Sequence, residues 1–142
     1  NNCELKQIQE WEPNCWVNIE CPNPDEIQYL LDTFKIPEYF LSDIADIEER
    51  PRVETEDEWT LIILRIPHKK KESKMPYVTV PLGILFKGDV CITICFFQTN
   101  MLQDFVYFYQ RKNTGFTDPV DLIFKLFLSS LTTSLSVNAL MY

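Results

Sequence analysis

Apolar residues recur along the chain in two spacings, one typical of β-strands and one typical of helices. Four runs are rich in β-branched and aromatic residues and are alternating or continuously apolar, which predicts strands. These runs cover residues 15–20, 59–67, 77–86 and 90–97. The run at 59–67 is apolar throughout, so we expect both of its faces to be covered. A weaker pattern at residues 3–11 predicts a short opening strand.

Two turns connect the last three of these strands. Residues 68–76 are polar and lysine-rich, which predicts an exposed hairpin tip, and Gly88-Asp89 predicts a tight turn into the final strand. In the strand between these turns, every second residue is apolar and lies on one face, whereas Pro81 and Gly83 occupy the other. The residues of the apolar face are Val78, Val80, Leu82, Ile84 and Phe86. Proline removes a hydrogen-bond donor from the ladder, and glycine weakens a strand. This strand is therefore expected at a sheet edge or with a bulge.

Helical spacing of apolar residues predicts four helices. The first begins at Asn23, an N-cap residue that is followed by Pro24 and two acidic residues. The third covers residues 101–111, and its aromatic side chains are expected to lie in the core. The fourth covers residues 118–140, with Asp118 as its cap.

The second predicted helix is short and begins at Pro37. Phe40, Ile44 and Ile47 are separated by four and then three residues, so we expect them to form its buried stripe. Pro51 ends any helix in this part of the chain.

The order of elements is strands, two helices, three strands and two helices. It predicts an α+β fold in which a mixed or mostly antiparallel β-sheet is flanked by helices on both faces, an α/β/α sandwich. No repeat, low-complexity segment or linker divides residues 1–142, so we expect a single domain.

The composition is that of a folded, acidic domain. Apolar residues make up 46% of the chain, and 21 acidic against 13 basic residues give a net charge of −8. Because phosphate binding requires clustered cations, this balance disfavours nucleic acid and anionic membrane surfaces. No signal peptide opens the chain, and no run reaches the ~20 apolar residues that span a bilayer. The chain as given is therefore expected to be soluble.

Residues that commonly carry catalysis are scarce. The five cysteines form no C-x-x-C pair, so we expect buried thiols rather than a zinc site. The single histidine, His68, lies in the predicted hairpin tip and is expected to be solvated. The three glycines form no phosphate-binding loop, and the serines of the last helix lack a nucleophile turn. We therefore do not expect an enzyme.

Carboxylates are concentrated between the second helix and the next strand. Residues 41–54 contain five acids, and three more follow by residue 58. At ~100° per residue, Asp43 falls about 90° from the centre of the buried stripe, at the rim of the helix, and Asp46 points further out. Repulsion between such neighbours is only ~0.2–0.5 kcal/mol, so a solvated loop tolerates them without an ion. The cluster is either such a loop or a site for a cation or partner.

Five segments occur in order between Trp16 and Phe97: "WVN", "PDEIQYLLDTFKIPEYFLSDI", "ERPRVE", "WTLIILRIP" and "PLGILF…DVCITI". In order and spacing they resemble the amino-terminal cytoplasmic domain of CorA-type magnesium transporters. The helices at residues 101–142 agree with that domain only in kind.

This resemblance implies that the chain is the soluble domain of a larger membrane protein. In the family, a mixed sheet between helical layers is followed by a long stalk helix and two membrane helices, with Gly-Met-Asn at the pore mouth. The implied partners are the protein's own stalk and transmembrane segments and further copies of itself in a homopentamer. The implied location is the cytoplasmic side of the inner cell membrane. Members pass Mg²⁺, often Co²⁺ or Ni²⁺, and some handle Zn²⁺.

The resemblance also implies a role for Asp43. In the family, an Asp at the matching place on the second short helix faces the stalk helix of the neighbouring subunit, and two carboxylates hold a regulatory divalent cation. Many relatives carry a further acid just before this Asp, where this chain has Ser42. The implied cofactor is weakly bound regulatory Mg²⁺, or alternatively Co²⁺, and high cytosolic Mg²⁺ keeps the pore shut. One Asp per subunit suffices, because Mg²⁺ retains most of its waters.

Two other classes of function remain open beside this regulatory and assembly domain of a cation transporter. A metal-dependent hydrolase or phosphotransferase would use Asp43, Asp46, Glu48 and Glu49, and it requires them to converge in a concave site around a metal. A pure protein-interaction domain requires no such site.

Overall fold

The computed structural model describes residues 8–69, 77–112 and 114–140. In chain order the elements are β1 (Trp16–Glu20), α1 (Pro24–Tyr29), a π-helical turn (Leu30–Phe34), α2 (Glu38–Ala45), β2 (Arg52–Glu56), β3 (Trp59–Lys69), β4 (Tyr77–Lys87), β5 (Val90–Cys95), α3 (Met101–Arg111) and α4 (Pro119–Leu140). None of the helices within these residues is long and apolar enough to cross a bilayer.

The strands form one five-stranded sheet in the order β1-β5-β4-β3-β2. The β1–β5 pair is parallel, with Trp16 opposite Cys91, and the other three pairs are antiparallel. The predicted mixed sheet is therefore confirmed. A parallel pair requires a long crossover, and the segment from α1 to β4 provides it.

Helices cover both faces of the sheet, which confirms the predicted α+β sandwich. On one face, residues of α2 and the preceding turn pack on β3, β4 and β5, with Phe40, Ile44 and Leu61 fully buried. On the other face, α3 and α4 pack on the same three strands through Leu102 and Leu126. Side chains of successive strand residues point to opposite faces, and β3 therefore contributes to both cores, as its continuous apolar run predicted.

Both predicted helix caps are confirmed. The Asn23 side chain accepts a hydrogen bond from the Glu26 backbone N–H at 2.9 Å, and the Glu26 carboxylate accepts one from the Asn23 N–H at 2.8 Å. This reciprocal capping box satisfies two N–H groups at the start of α1. Asp118 caps α4 by accepting from the Asp121 N–H at 2.9 Å.

The sequence pattern did not predict strand β2, which pairs with β3 along its whole length. Its residues, "RVETE", are mostly polar because β2 is an edge strand with Val53 and Thr55 exposed. The turn into β3 consists of Asp57 and Glu58, both with positive φ (49° and 66°). Two successive residues with positive φ suit a tight two-residue hairpin turn.

The predicted edge position of β4 is wrong, since β4 is the central strand. The ladder between β4 and β5 covers residues 83–87 of β4, so Pro81 lies past its end and its missing N–H breaks no bond there. The Pro81 carbonyl instead accepts from the Cys95 thiol at 3.5 Å. Gly83 is accommodated in the central strand for a different reason: a side chain at this position would overlap Ile44 of α2.

The predicted stripe of α2 is also partly wrong. The helix ends at Ala45, before it reaches Pro51, and Ile47 lies beyond the helix with 42% of its surface exposed. Leu41 takes its place in the core beside Phe40 and Ile44. The helix ends early because Asp46 adopts an extended backbone (φ −78°, ψ 114°).

The remaining expectations concern the chain start, the hairpin tip and His68. Residues 8–11 form no strand, and the rest of the predicted opening strand lies outside the described residues. The prediction that His68 is solvated in the hairpin tip is wrong, because His68 lies within β3 opposite Val78 and is partly buried. The run of residues 70–76 lies outside the described part of the chain.

The buried-thiol prediction holds for Cys91 and Cys95 and fails for Cys21, which is exposed. Cys3 lies outside the described residues. The aromatic residues of α3 are likewise divided, because Phe105 is buried whereas Tyr107 is 61% exposed.

Candidate functional site

Asp43 lies at the rim of α2, as its angular position predicted. The helix begins directly after Pro37 and turns Phe40, Leu41 and Ile44 toward the sheet. This orientation leaves the Asp43 side chain 30% exposed, at the boundary between the core and solvent. The carboxylate is therefore accessible from outside the domain and close enough to the sheet to contact it.

The contact is with Arg52, the first residue of β2, whose guanidinium is shared by three carboxylates. Its Nη2 donates to Asp43 Oδ2 at 2.5 Å and its Nε donates to Glu54 Oε2 at 3.1 Å. Its Nη1 forms an ion pair with Glu49. The Arg52 side chain is only 29% exposed, so these ion pairs are partly shielded from solvent.

The electrostatic balance of this cluster is negative. Burial would lower the pKa of the Arg52 guanidinium, but hydrogen bonds and charges from Glu54, Glu49 and Asp43 raise it above its usual value. The guanidinium therefore remains charged, and three carboxylates around one cation leave an excess of two negative charges. An excess of this sign favours the approach of a further cation.

Two other side chains hold the cluster in place. Desolvation and a hydrogen bond to Glu54 (2.9 Å from Tyr39 Oη to Glu54 Oε1) raise the pKa of Tyr39 to about 12, so the hydroxyl remains a donor. Arg65 of β3 donates to the carbonyls of Ile47 at 2.6 Å and Glu49 at 3.0 Å. The loop between α2 and β2 is thus tied to the sheet.

The four acids of the hydrolase hypothesis do not converge on one point. Asp43 and Glu49 contact Arg52, whereas Asp46 and Glu48 are exposed and lie in the turn after α2, where Asp46 Oδ1 accepts from the Glu48 N–H at 2.9 Å. Across residues 8–69, 77–112 and 114–140, no three acidic, histidine or cysteine side chains are placed to hold a metal ion. The geometry therefore gives the hydrolase hypothesis no support.

The chemistry of Asp43 does fit a hydrated, hard cation. Carboxylate oxygens are the ligands that Mg²⁺ prefers, and one or two of them suffice when the ion keeps its waters. Asp43 supplies one such group at an accessible rim. A shallow depression of about 510 Å³ lies elsewhere on α2, with a lining that includes Tyr39, Ser42 and Glu56 but not Asp43.

Sequence reasoning missed Arg52, Glu54, Tyr39 and Arg65 as parts of this site. Arg52 and Glu54 are two residues apart, so in a strand they point to the same face, toward α2. That signal becomes usable only once β2 is recognised as a strand. Arg65 carried no local signal, because its partners in the loop before β2 are backbone carbonyls that lie 16 and 18 residues away.

A second concavity lies at the β1 edge of the sheet, away from the acidic cluster. It is an open groove of about 1100 Å³ with an aromatic lining that includes Trp11, Trp16, Tyr107 and Phe116. The Trp16 ring packs edge-on against Phe116, with 5.8 Å between ring centroids. These contacts continue the core formed by α3 and α4.

Comparison with known proteins gives one family and several similar folds. The family model described as CorA-like Mg²⁺ transporter protein matches residues 11–137. The complete CorA magnesium transporter from Methanocaldococcus jannaschii aligns with a TM-score of 0.77 at 20% identity, over 94% of this chain and 42% of the transporter. The soluble domain of the same CorA aligns with a TM-score of 0.74 at 20% identity, over 86% of this chain and 48% of that domain's chain.

The fold also matches a further cytoplasmic domain. The ZntB cytoplasmic domain from Vibrio parahaemolyticus RIMD 2210633 has a TM-score of 0.70 and 18% identity, over 91% of this chain and 52% of that one. Comparison with curated proteins gave no significant match. The chain thus spans about half or less of the length of these solved structures. At these identities the structural matches show a shared fold.

Proposed function

The chain belongs to the family of CorA-like Mg²⁺ transporter proteins, and from that membership we propose that it is the cytoplasmic regulatory and assembly domain of a divalent-cation transporter. Its mixed sheet between helical layers is the fold of the CorA soluble domain. This family consists of ion transporters rather than enzymes. The family, the fold and the acidic rim all favour this role over hydrolysis.

The observation that carries the proposal is the position of Asp43. Its carboxylate lies at the rim of α2, 30% exposed, within a cluster that has an excess of negative charge. A carboxylate placed in this way can face another subunit without unfolding the domain. It also repels any carboxylate that a neighbouring subunit brings close.

The proposed mechanism is feedback by the cytosolic cation. A hydrated Mg²⁺ supplies two positive charges between Asp43 and a carboxylate of the adjacent subunit. When Mg²⁺ is scarce, Asp43 and its counterpart repel, and the contact between subunits loosens. Because a ligand can shift only an equilibrium whose states it binds unequally, the two arrangements must differ in how close Asp43 comes to its neighbour.

This proposal includes partners beyond residues 1–142. They are the stalk and transmembrane segments of a longer protein and further copies in a homopentamer, on the cytoplasmic side of the membrane. The regulatory ion is Mg²⁺, with Co²⁺ as an alternative that a carboxylate site does not strongly exclude. Transport of Mg²⁺, Co²⁺ or Ni²⁺ would occur in the membrane segments.

A second candidate, a protein-interaction domain without cation control, is favoured by the outer face of α4. Val120, Phe124 and Phe127 are 70%, 60% and 44% exposed and lie on one side of the helix. An apolar stripe of this kind is typical of a surface that packs against another element. This candidate predicts assembly that does not depend on Mg²⁺.

The test is protection of the longer, assembled protein from a protease as Mg²⁺ is added. We expect Asp43→Asn to lose most of the Mg²⁺ protection, because the amide carries no charge to bridge. Asp46→Asn is the matched control, since it removes an exposed acid three residues away and should retain the protection. Equal protection of both variants and the wild type would contradict the role of Asp43 and favour the interaction domain.

A further inference from the structure

Arg52 forms an ion pair with the Asp43 carboxylate, the group that the proposed function assigns to a divalent cation. Arg52 Nη2 donates a charge-assisted hydrogen bond to Asp43 Oδ2 at 2.5 Å. A cation that coordinates Asp43 would lie close to this guanidinium and be repelled by it. Arg52 and a divalent cation therefore compete for the charge of one side chain.

From this geometry we infer that Arg52 is a built-in competitor of the cation at Asp43, and that it sets the Mg²⁺ concentration at which Asp43 turns to a neighbouring subunit. The inference rests on the proposed function and concerns the regulation of the same site. It assigns Arg52 a role in setting the cation affinity of this site, which neither the fold nor the family match provides.

The arrangement of Glu49 and Glu54 makes such an exchange feasible. Each of them forms its own ion pair with Arg52, beside the one that Asp43 forms. When Asp43 is released, Arg52 therefore keeps two carboxylate partners. Removing the only partner of a shielded charge is strongly destabilising, whereas losing one of three partners is not. The Asp43 contact is thus the part of the cluster that can be given up.

The Asp43 contact also spans two elements. Glu54 lies on β2 with Arg52, and Glu49 lies in the loop that Arg65 ties to the sheet. Asp43 alone of the three acids belongs to α2. Glu49 and Glu54 would therefore hold the guanidinium in place on the sheet while Asp43 alternates between it and an external cation.

A simple structural role for Arg52, joining α2 to β2, makes different predictions. In that case removal of Arg52 lowers the thermal stability of the domain and leaves the Mg²⁺ dependence unchanged. If Arg52 instead orients Asp43 for the cation, its removal raises the Mg²⁺ requirement. Of these three roles, only competition predicts that removal of Arg52 lowers the Mg²⁺ requirement.

The test is the midpoint of protease protection as MgCl₂ is titrated into the longer, assembled protein. Arg52→Gln should lower the midpoint about three- to tenfold, the range expected for loss of a partly screened, charged hydrogen bond. Arg50→Gln is the matched control, because it removes the same charge two residues away, where the backbone N–H rather than the side chain contacts Glu49. Its midpoint should stay near that of the wild type.

An unchanged or higher midpoint for Arg52→Gln would overturn the inference, and so would an equal decrease in both variants, which indicates a general charge effect. If Arg52→Gln does not fold, Arg52→Lys replaces it and should lower the midpoint less, since an ammonium cannot hold three carboxylates in the same geometry. Asp43→Asn separates the two claims. If this variant keeps the Mg²⁺ response, the proposed function fails, whatever Arg52 does.

Discussion

Ile44 of α2 packs directly onto Gly83 of the central strand β4. A Cβ atom at position 83 would overlap the Ile44 side chain, so the helix approaches the sheet at a point where the sheet carries no side chain. This close approach places the preceding residue, Asp43, beside Arg52 at the start of β2. The geometry of the acidic cluster thus depends on a contact in the core.

We predict that Gly83→Ala destabilises the domain by about 1–3 kcal/mol, the usual cost of overpacking a core. The free energy of unfolding, measured by urea titration, tests this. Ile44→Ala should cost about 2–5 kcal/mol by itself, and the double variant should cost less than the sum, because each change relieves the other. Strictly additive effects would show that the two residues do not meet.

Ile44 and Ile47 provide a matched pair for the end of α2. Ile44 is fully buried, whereas Ile47 lies past the helix and is 42% exposed. We expect Ile44→Ala to cost about 2–5 kcal/mol and Ile47→Ala less than about 1 kcal/mol in the same urea measurement. Equal losses of unfolding free energy in the two variants would show that Ile47 belongs to the buried stripe that the sequence pattern predicted.

The buried cysteines should resist alkylation in the native state. Burial raises the pKa of Cys95 to about 11 and that of Cys91 to about 12, so both remain thiols at pH 8 and are shielded from reagent. Cys21 is exposed. We expect iodoacetamide at pH 8 to label Cys21 within minutes and Cys95 only in urea, as mapped by peptide mass spectrometry. Native labelling of Cys95 as fast as Cys21 would contradict this burial.

Acidification should weaken the start of α4. Asp121 accepts from Lys125 Nζ at 2.8 Å, and this hydrogen bond holds the pKa of the Asp121 carboxyl below its usual value. The stabilisation is therefore complete above the unfolded pKa of about 4 and is lost as the pH falls through the lower native pKa.

At pH 7 we expect Asp121→Asn to destabilise the domain by about 0.3–1 kcal/mol, the usual range for such pairs. Below pH 4 the difference between this variant and the wild type should shrink, in thermal unfolding measured across pH. A difference at Asp121 that is constant from pH 7 to pH 3 would contradict the ion pair.

Elements with local signals were predictable from the sequence. Asn23 and Glu26 lie within one turn of each other, and the bounds of α3 follow from the spacing of its apolar residues. Gly88, with φ of 57°, permits the turn between β4 and β5. In each case the determining interaction joins residues a few positions apart, which a single sequence displays.

The features that were missed depend on residues far apart in the chain. Pro81 is tolerated in a central strand because β5 ends before reaching it, and no pattern around Pro81 reveals where β5 ends. Asp43 could be placed at the rim of a helix, but its ion pair with Arg52 required β2, whose polar sequence resembles a loop. The site was therefore predicted as an isolated acid rather than as part of a cluster.

The most direct test of the account is whether a neighbouring subunit reaches the turn that carries Asp43. Ser42 is exposed and precedes Asp43, so a photoactivatable p-benzoylphenylalanine at this position reports on its surroundings. In the longer, assembled protein, we predict cross-links between subunits when Mg²⁺ is present and their loss when Mg²⁺ is chelated or Asp43 is replaced by Asn. Absence of cross-links between subunits in both conditions would contradict a regulatory cation at this rim.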